Sequence, residues 1–200
     1  MPFTRPATPA DALARLLEGN RRYVAEQPQA PAASAERIEL ASGQEPFAAV
    51  LGCSDSRVPI ESIFDQHAGN LFVIRLAGNI VTDEGLASIE YAIDVLHCMF
   101  VLVLGHEACG AVRAAMTLLE SDATFPGSIG LLAEAIAPAA AATRERHGDW
   151  WRSAIEANAR MSRQAIVARS PLVRAAVGRG SVGIAAATYN LHTGVVATLD

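Results

Sequence analysis

The apolar positions of the chain fall into two rhythms that take turns. From Asp11 to Glu26 (DALARLLEGNRRYVAE), Leu13, Leu16, Leu17 and Val24 recur at helical spacing, which predicts an amphipathic helix between Pro9 and Gln27-Pro28. Shorter apolar runs follow at Pro46–Gly52 (PFAAVLG), Leu71–Arg75 (LFVIR) and Met99–Gly105 (MFVLVLG). The last is apolar throughout, as expected of a strand buried on both faces of a parallel sheet. Between the second and third runs, Thr82-Asp83-Glu84 opens a helix whose apolar face uses Leu86, Ile89, Ile93 and Leu96, with Thr82 or Asp83 as its N-cap. Another helix begins near Cys109 (CGAVRAAMTLLE). The Ala-rich stretch from Ile129 to about Arg169 is helical in pattern, with breaks expected near Pro138 and at His147-Gly148-Asp149. Val182–Thr188 and Gly194–Leu199 read as two closing strands, and the YNLHTG turn between them suits a hairpin.

This alternation predicts an α/β fold: a mostly parallel central β-sheet with one antiparallel edge strand, flanked by helices, preceded by an N-terminal helical arm that runs into the loop PQAPAAS (28–34). The 200 residues fit one domain. The longest apolar run, Cys98–Leu104, is far too short to span a bilayer. With a net charge of −5 and no basic run longer than Arg21-Arg22, neither nucleic acid nor an anionic membrane is an expected partner. The N-terminal residues hold no apolar stretch of signal-peptide length, so a cytoplasmic location is the expectation. The three cysteines, Cys53, Cys98 and Cys109, are odd in number and widely spaced, which argues against a disulfide framework. Their default reading is as small buried hydrophobes, and Cys98, which lacks polar company, keeps it.

The other two cysteines stand at the ends of predicted strands, where open α/β sheets gather their functional groups. The first strand runs directly into CSDSR (53–57), and the third into GHEACG (105–110). His106 and Cys109 are three apart, so one turn at a strand-to-helix junction can aim both at one point. Cys53 completes a set of two thiolates and one imidazole, which suits Zn²⁺ and leaves a fourth position open, the mark of a catalytic site. Gly110 after Cys109 excludes the H-E-x-x-H pattern. Asp55 and Arg57 are placed to form an acid–base pair beside Cys53. An arginine in that pairing would hold the carboxylate off the metal.

The two motifs resemble those of the β-class carbonic anhydrases. The likeness extends through ALARLLEGNRRYV (12–24), GQEPFAAVLGCSDSRVP (43–59), IFDQ (63–66), LFVIRLAGN (71–79), IEYAIDVL (89–96), GHEACGAV (105–112) and the closing VGIAAATYNLHTGVV. It implies Zn²⁺ as cofactor, with Cys53, His106 and Cys109 as ligands, and Asp55–Arg57 as the catalytic dyad. It also implies a closed state in which Asp55 takes the fourth position. Gln44, nine residues before Cys53, stands where the family places a glutamine that hydrogen-bonds substrate. Phe72 and Tyr91 stand where it lines the pocket with aromatics, and Gly110 where a glycine admits substrate beside the last ligand. The implied reaction is reversible hydration of CO₂ to bicarbonate and a proton by a zinc-bound hydroxide. The implied assembly is a homodimer with active sites at the interface, in some members a dimer of dimers. In it, residues 1–34 of a single 1–200 domain would pack as helix and arm on the partner subunit. Two other functions fit the same residues. One is hydrolysis of a CO₂ analogue such as carbon disulfide, and the other is a zinc-stabilised module without turnover.

Overall fold

A computed structural model describes residues 5–29, 38–121, 123–145 and 148–199. Five strands form one sheet: β1 (Ala48–Gly52), β2 (Leu71–Arg75), β3 (Phe100–His106), β4 (Gly183–Tyr189) and β5 (Val196–Leu199). Their order is β2-β1-β3-β4-β5, with every neighbouring pair parallel except β4–β5. Chain direction across the sheet therefore reverses between β1 and β3. Such a switch point opens a crevice beyond the strand ends.

β1 and β3 are buried at every position, as their uninterrupted apolar runs require. One face of the sheet, with Ala48, Val50, Leu102 and Leu104, is covered by α1 (Pro9–Val24) and the short α2 (Ile60–Ile63). The opposite face, with Ala49, Leu51, Val101 and Val103, is covered by α3 (Asp83–Asp94), α6 (Trp150–Arg169) and α7 (Pro171–Gly178). A third apolar cluster lies at the carboxyl end of the sheet. It joins Cys53 and Cys109 to α4 (Gly110–Ser121), α5 (Ile129–Ala141) and the start of α6.

Several helix boundaries differ from the sequence reading. α1 starts at Pro9, because Thr8 and Asp11 form a reciprocal capping box and proline suits the first helical position. The helix belongs to its own chain's core: Ala12 and Leu16 are fully buried, and Asn20 donates to the carbonyls of Ile63 (3.1 Å) and Gly194 (2.8 Å). Of the loop 28–34, residues 30–34 lie outside the described residues, as does His147 of the second expected break. The break expected near Pro138 does not occur, and α5 continues through it to Ala141. Pro138 and Glu134 both face solvent, so water can take the carbonyl that the proline leaves without a donor. α7 was not expected from the pattern; Ser170 caps it by accepting from Val173 N–H, with Pro171 at its first turn. At the other end, Thr82 caps α3 through Gly85 N–H (3.1 Å), as its position suggested.

Candidate metal centre and its carboxylate

Gly52, the last residue of β1, pairs with Leu104 of β3, and β3 runs on through Gly105 to His106. Cys53 therefore stands one strand away from the end of β3. After His106, the left-handed Ala108 (φ 53°) turns the chain so that Cys109 falls at the start of α4. The donor atoms of Cys53, His106 and Cys109 all lie within 4.8 Å of one another, and all three residues are buried. Among the described residues this is the one group of three such donors that could hold a metal ion.

The fit to a cation is visible in the imidazole. His106 Nδ1 lies 2.8 Å from the Glu107 carbonyl, which can only accept, so Nδ1 carries the proton and the lone pair belongs to Nε2. That Nε2 is fully buried and has no hydrogen-bond partner. A buried acceptor without a donor is costly, and a divalent cation at this point removes the cost. The thiols tell the same story. The Cys109 thiol beside Cys53, ahead of the His106 ring and the Gly78 N–H, pulls Cys53 well below the ordinary thiol range against its burial. Cys109 is raised, first by Cys53 and then by burial, although the N–H groups of Val112 and Ala111 at the start of α4 oppose the rise. Two buried thiols beside an imidazole lone pair match the sulfur and nitrogen donors that zinc takes.

Asp55 and Arg57 meet as a two-pronged pair. Arg57 Nε donates to Asp55 Oδ1 at 2.9 Å and its terminal nitrogen to Oδ2 at 2.7 Å, while the Arg57 backbone N–H also reaches Oδ1. This guanidinium, first among several causes, holds the Asp55 carboxyl far below the usual carboxylate range. Asp55 Oδ2 stands 3.9 Å from His106 Nε2, at the edge of the donor cluster. Arg57 also reaches the Ala108 carbonyl at 3.3 Å, which ties the first motif to the second.

The remaining sequence candidates are placed differently. Gly110 opens α4 directly after Cys109, and a Cβ there would project into open space. Phe72 on β2 and Tyr91 on α3 pair with ring centroids 6.1 Å apart, and Tyr91 is 47% exposed. Gln44 is exposed and lines an open cleft of about 440 Å³ with Leu40, Ser42 and Gly69 among its neighbours, none of them a metal donor. Within one chain, then, the five residues of the two motifs converge, while Gln44, Phe72 and Tyr91 line other surfaces.

Sequence reading missed the residues that hold the motifs. Arg75 donates to the Cys53 carbonyl (3.1 Å) and the Asp55 carbonyl (2.6 Å), which fixes the turn. Its signal was present: a charged residue ending an apolar strand level with Gly52. Gly78 donates its N–H to Cys53 Sγ at 3.2 Å, and Trp151 donates to the Cys109 carbonyl at 3.1 Å. Neither leaves a mark in local sequence.

A family profile described as carbonic anhydrase matches residues 48–196. Carbonic anhydrase 2 of Mycobacterium tuberculosis is 40% identical over 199 residues, covering 97% of this chain and 93% of the relative. The chain belongs to the β-class carbonic anhydrase family. A carbonic anhydrase of Pseudomonas aeruginosa is 34% identical over 85% of this chain and 80% of its own length. Among solved structures, the Coccomyxa β-carbonic anhydrase in complex with acetazolamide superposes with a TM-score of 0.72 at 29% identity, covering 94% of this chain and 86% of that one. The α/β fold with its parallel sheet and antiparallel edge pair is thus the family's fold.

Proposed function

We propose that this β-class carbonic anhydrase catalyses the reversible hydration of CO₂ to bicarbonate and a proton, with zinc held by Cys53, His106 and Cys109. The observation that carries the reading is the buried, unpartnered Nε2 of His106 within 4.8 Å of two buried cysteine sulfurs, beside a carboxylate clamped by arginine. When bound there, zinc supplies Lewis acidity, which makes water a competent nucleophile near neutral pH.

The chain's own groups do the rest. Asp55, kept ionised by Arg57, accepts a hydrogen bond from the attacking water and so aims its other lone pair at the CO₂ carbon. Arg57 engages both carboxylate oxygens of Asp55, and a closed state in which Asp55 reached the metal would draw on a carboxylate already committed to that pair. Gly110 presents no side chain beside Cys109, and nothing lies within 4 Å of where its Cβ would stand.

Gln44, Phe72 and Tyr91 complete the pocket across a homodimer interface in this reading, with Gln44 donating to a substrate oxygen as negative charge develops. The exposure of Tyr91 and Gln44 in the single chain supports that placement. The same reading puts the enzyme in the cytoplasm. No helix among the described residues is long and apolar enough to cross a membrane.

The direct test is loss of isotopic label from oxygen-labelled CO₂ into water. Zinc-loaded protein should accelerate that exchange strongly, and Cys53→Ser, with its metal lost, should not. Exchange at the uncatalysed rate with zinc bound would overturn the reading.

A further inference from the structure

Cys53 receives a hydrogen bond from a residue with no side chain to steer it. Gly78 sits in the 3₁₀ turn Ala77–Asn79 in a left-handed conformation (φ 70°, ψ 18°), and its N–H reaches Cys53 Sγ at 3.2 Å. Glycine is the freest residue of the chain, so the aim of this N–H must be set from outside. Packing sets it from one side: a Cβ at Gly78 would come within 2.5 Å of Ile136 Cδ1 and 3.0 Å of Ala111 Cβ. From the other side comes Asn158, whose Nδ2 donates to the Gly78 carbonyl at 2.8 Å across 80 residues of sequence.

Asn158 is out of place for packing alone. It lies mid-helix in α6, 4% exposed, on the face that buries Ala154, Ile155, Ala159 and Ile166. Asparagine is a poor helix former, and a buried amide costs free energy that an alanine or leucine would avoid. Among the described residues, what the amide obtains there is a bond to the residue that touches Cys53. We propose that Asn158 is a positioning residue for the metal centre: by holding the Gly78 carbonyl it fixes the N–H···S bond to Cys53, and so the strength with which that sulfur holds zinc. The inference rests on Cys53 being a metal ligand. A fixed N–H donor withdraws charge from a thiolate and stabilises it in the bound geometry. Loss of a partner of this kind typically costs about ten- to a hundredfold in metal affinity.

The test is zinc release to a competing chromogenic chelator, together with the thiolate-to-metal charge-transfer band of the cobalt-substituted protein. Asn158→Ala should release zinc faster than the parent protein, with an affinity lower by about ten- to a hundredfold. It should also shift the cobalt band to longer wavelength, because a sulfur without its N–H partner donates more readily. Asn158→Asp keeps the size but replaces the donor by an acceptor; it should move both readouts the same way and serves where the alanine variant fails to fold. Asn20 is the control: equally buried at 4% exposure, it bonds to Ile63 and Gly194. Asn20→Ala should lower stability and leave zinc release and the band unchanged. Folded Asn158 variants with the parent's release rate and band would overturn the proposal, as would equal effects from Asn20→Ala. A parent protein that binds cobalt without a thiolate band would instead remove the ligand assignment, and this inference with it.

Discussion

At the level of single residues, the three cysteines share one side chain and have two different fates. Cys98 donates to the Pro46 carbonyl at 3.3 Å, and burial pushes its thiol up to about 12. In folded, zinc-loaded protein it should resist alkylation at mildly alkaline pH and react once the protein is unfolded, which peptide mass spectrometry can read. Cys109→Ser should strip the metal, since serine is a poor zinc donor and two ligands remain; zinc retained at one per chain would refute the ligand set. Asp55→Ala should cut turnover by about a hundredfold or more while zinc stays bound, because the positioned acceptor is lost but no ligand is. Zinc lost from that variant would show a ligand role in the resting enzyme. The pH dependence of Asp55 has a definite sign. Its folded carboxyl is depressed, so its stabilising pair with Arg57 is intact above the ordinary carboxylate range and fades only as pH falls through the lower folded value.

Among the elements, legibility followed periodicity. The strands were readable because β1 and β3 are buried on both faces, and no polar residue interrupts either run before His106 closes β3. The hairpin was readable because Asn190 and Gly194 bracket it: Asn190 Oδ1 accepts from His192 and Thr193 N–H, and Gly194 is left-handed (φ 73°). α5 was misjudged at Pro138 because a proline's cost depends on whether water can reach the freed carbonyl, which is a tertiary fact. The five motif residues of the metal centre were legible as short, dense clusters at strand ends. Gly78, Asn158 and Trp151 were not, since each acts through a long-range bond from an unremarkable local sequence. The packing of α1 on α2 supplies a sharp test of the fold. A Cβ on Gly19 would fall 1.8 Å from the Phe64 carbonyl oxygen, a backbone atom that cannot swing aside. Gly19→Ala should cost about 1–3 kcal/mol in denaturant unfolding, despite the better helix propensity of alanine. An unchanged or higher midpoint would mean that α1 does not pack here in solution.

For the molecule as a whole, the single chain builds a metal centre and its carboxylate clamp but leaves the proposed substrate contacts on its surface. Tyr91 on α3 and Val95 just past its end expose apolar area, whereas Cys53 and Cys109 are packed against α4 and α5. Assembly into a homodimer, alone or paired again into a tetramer, is what the proposed function requires. Sedimentation should find no active monomer, and a fully active monomer would contradict the shared pocket. The central claim, that a zinc ion at the switch point of this sheet hydrates CO₂, is tested most directly by stopped-flow hydration followed with a pH indicator from about pH 6.5 to about pH 9. Zinc-replete protein should show activity that rises with pH, vanishes on metal removal and returns when zinc is restored. Absence of activity across that range with zinc fully bound would contradict it.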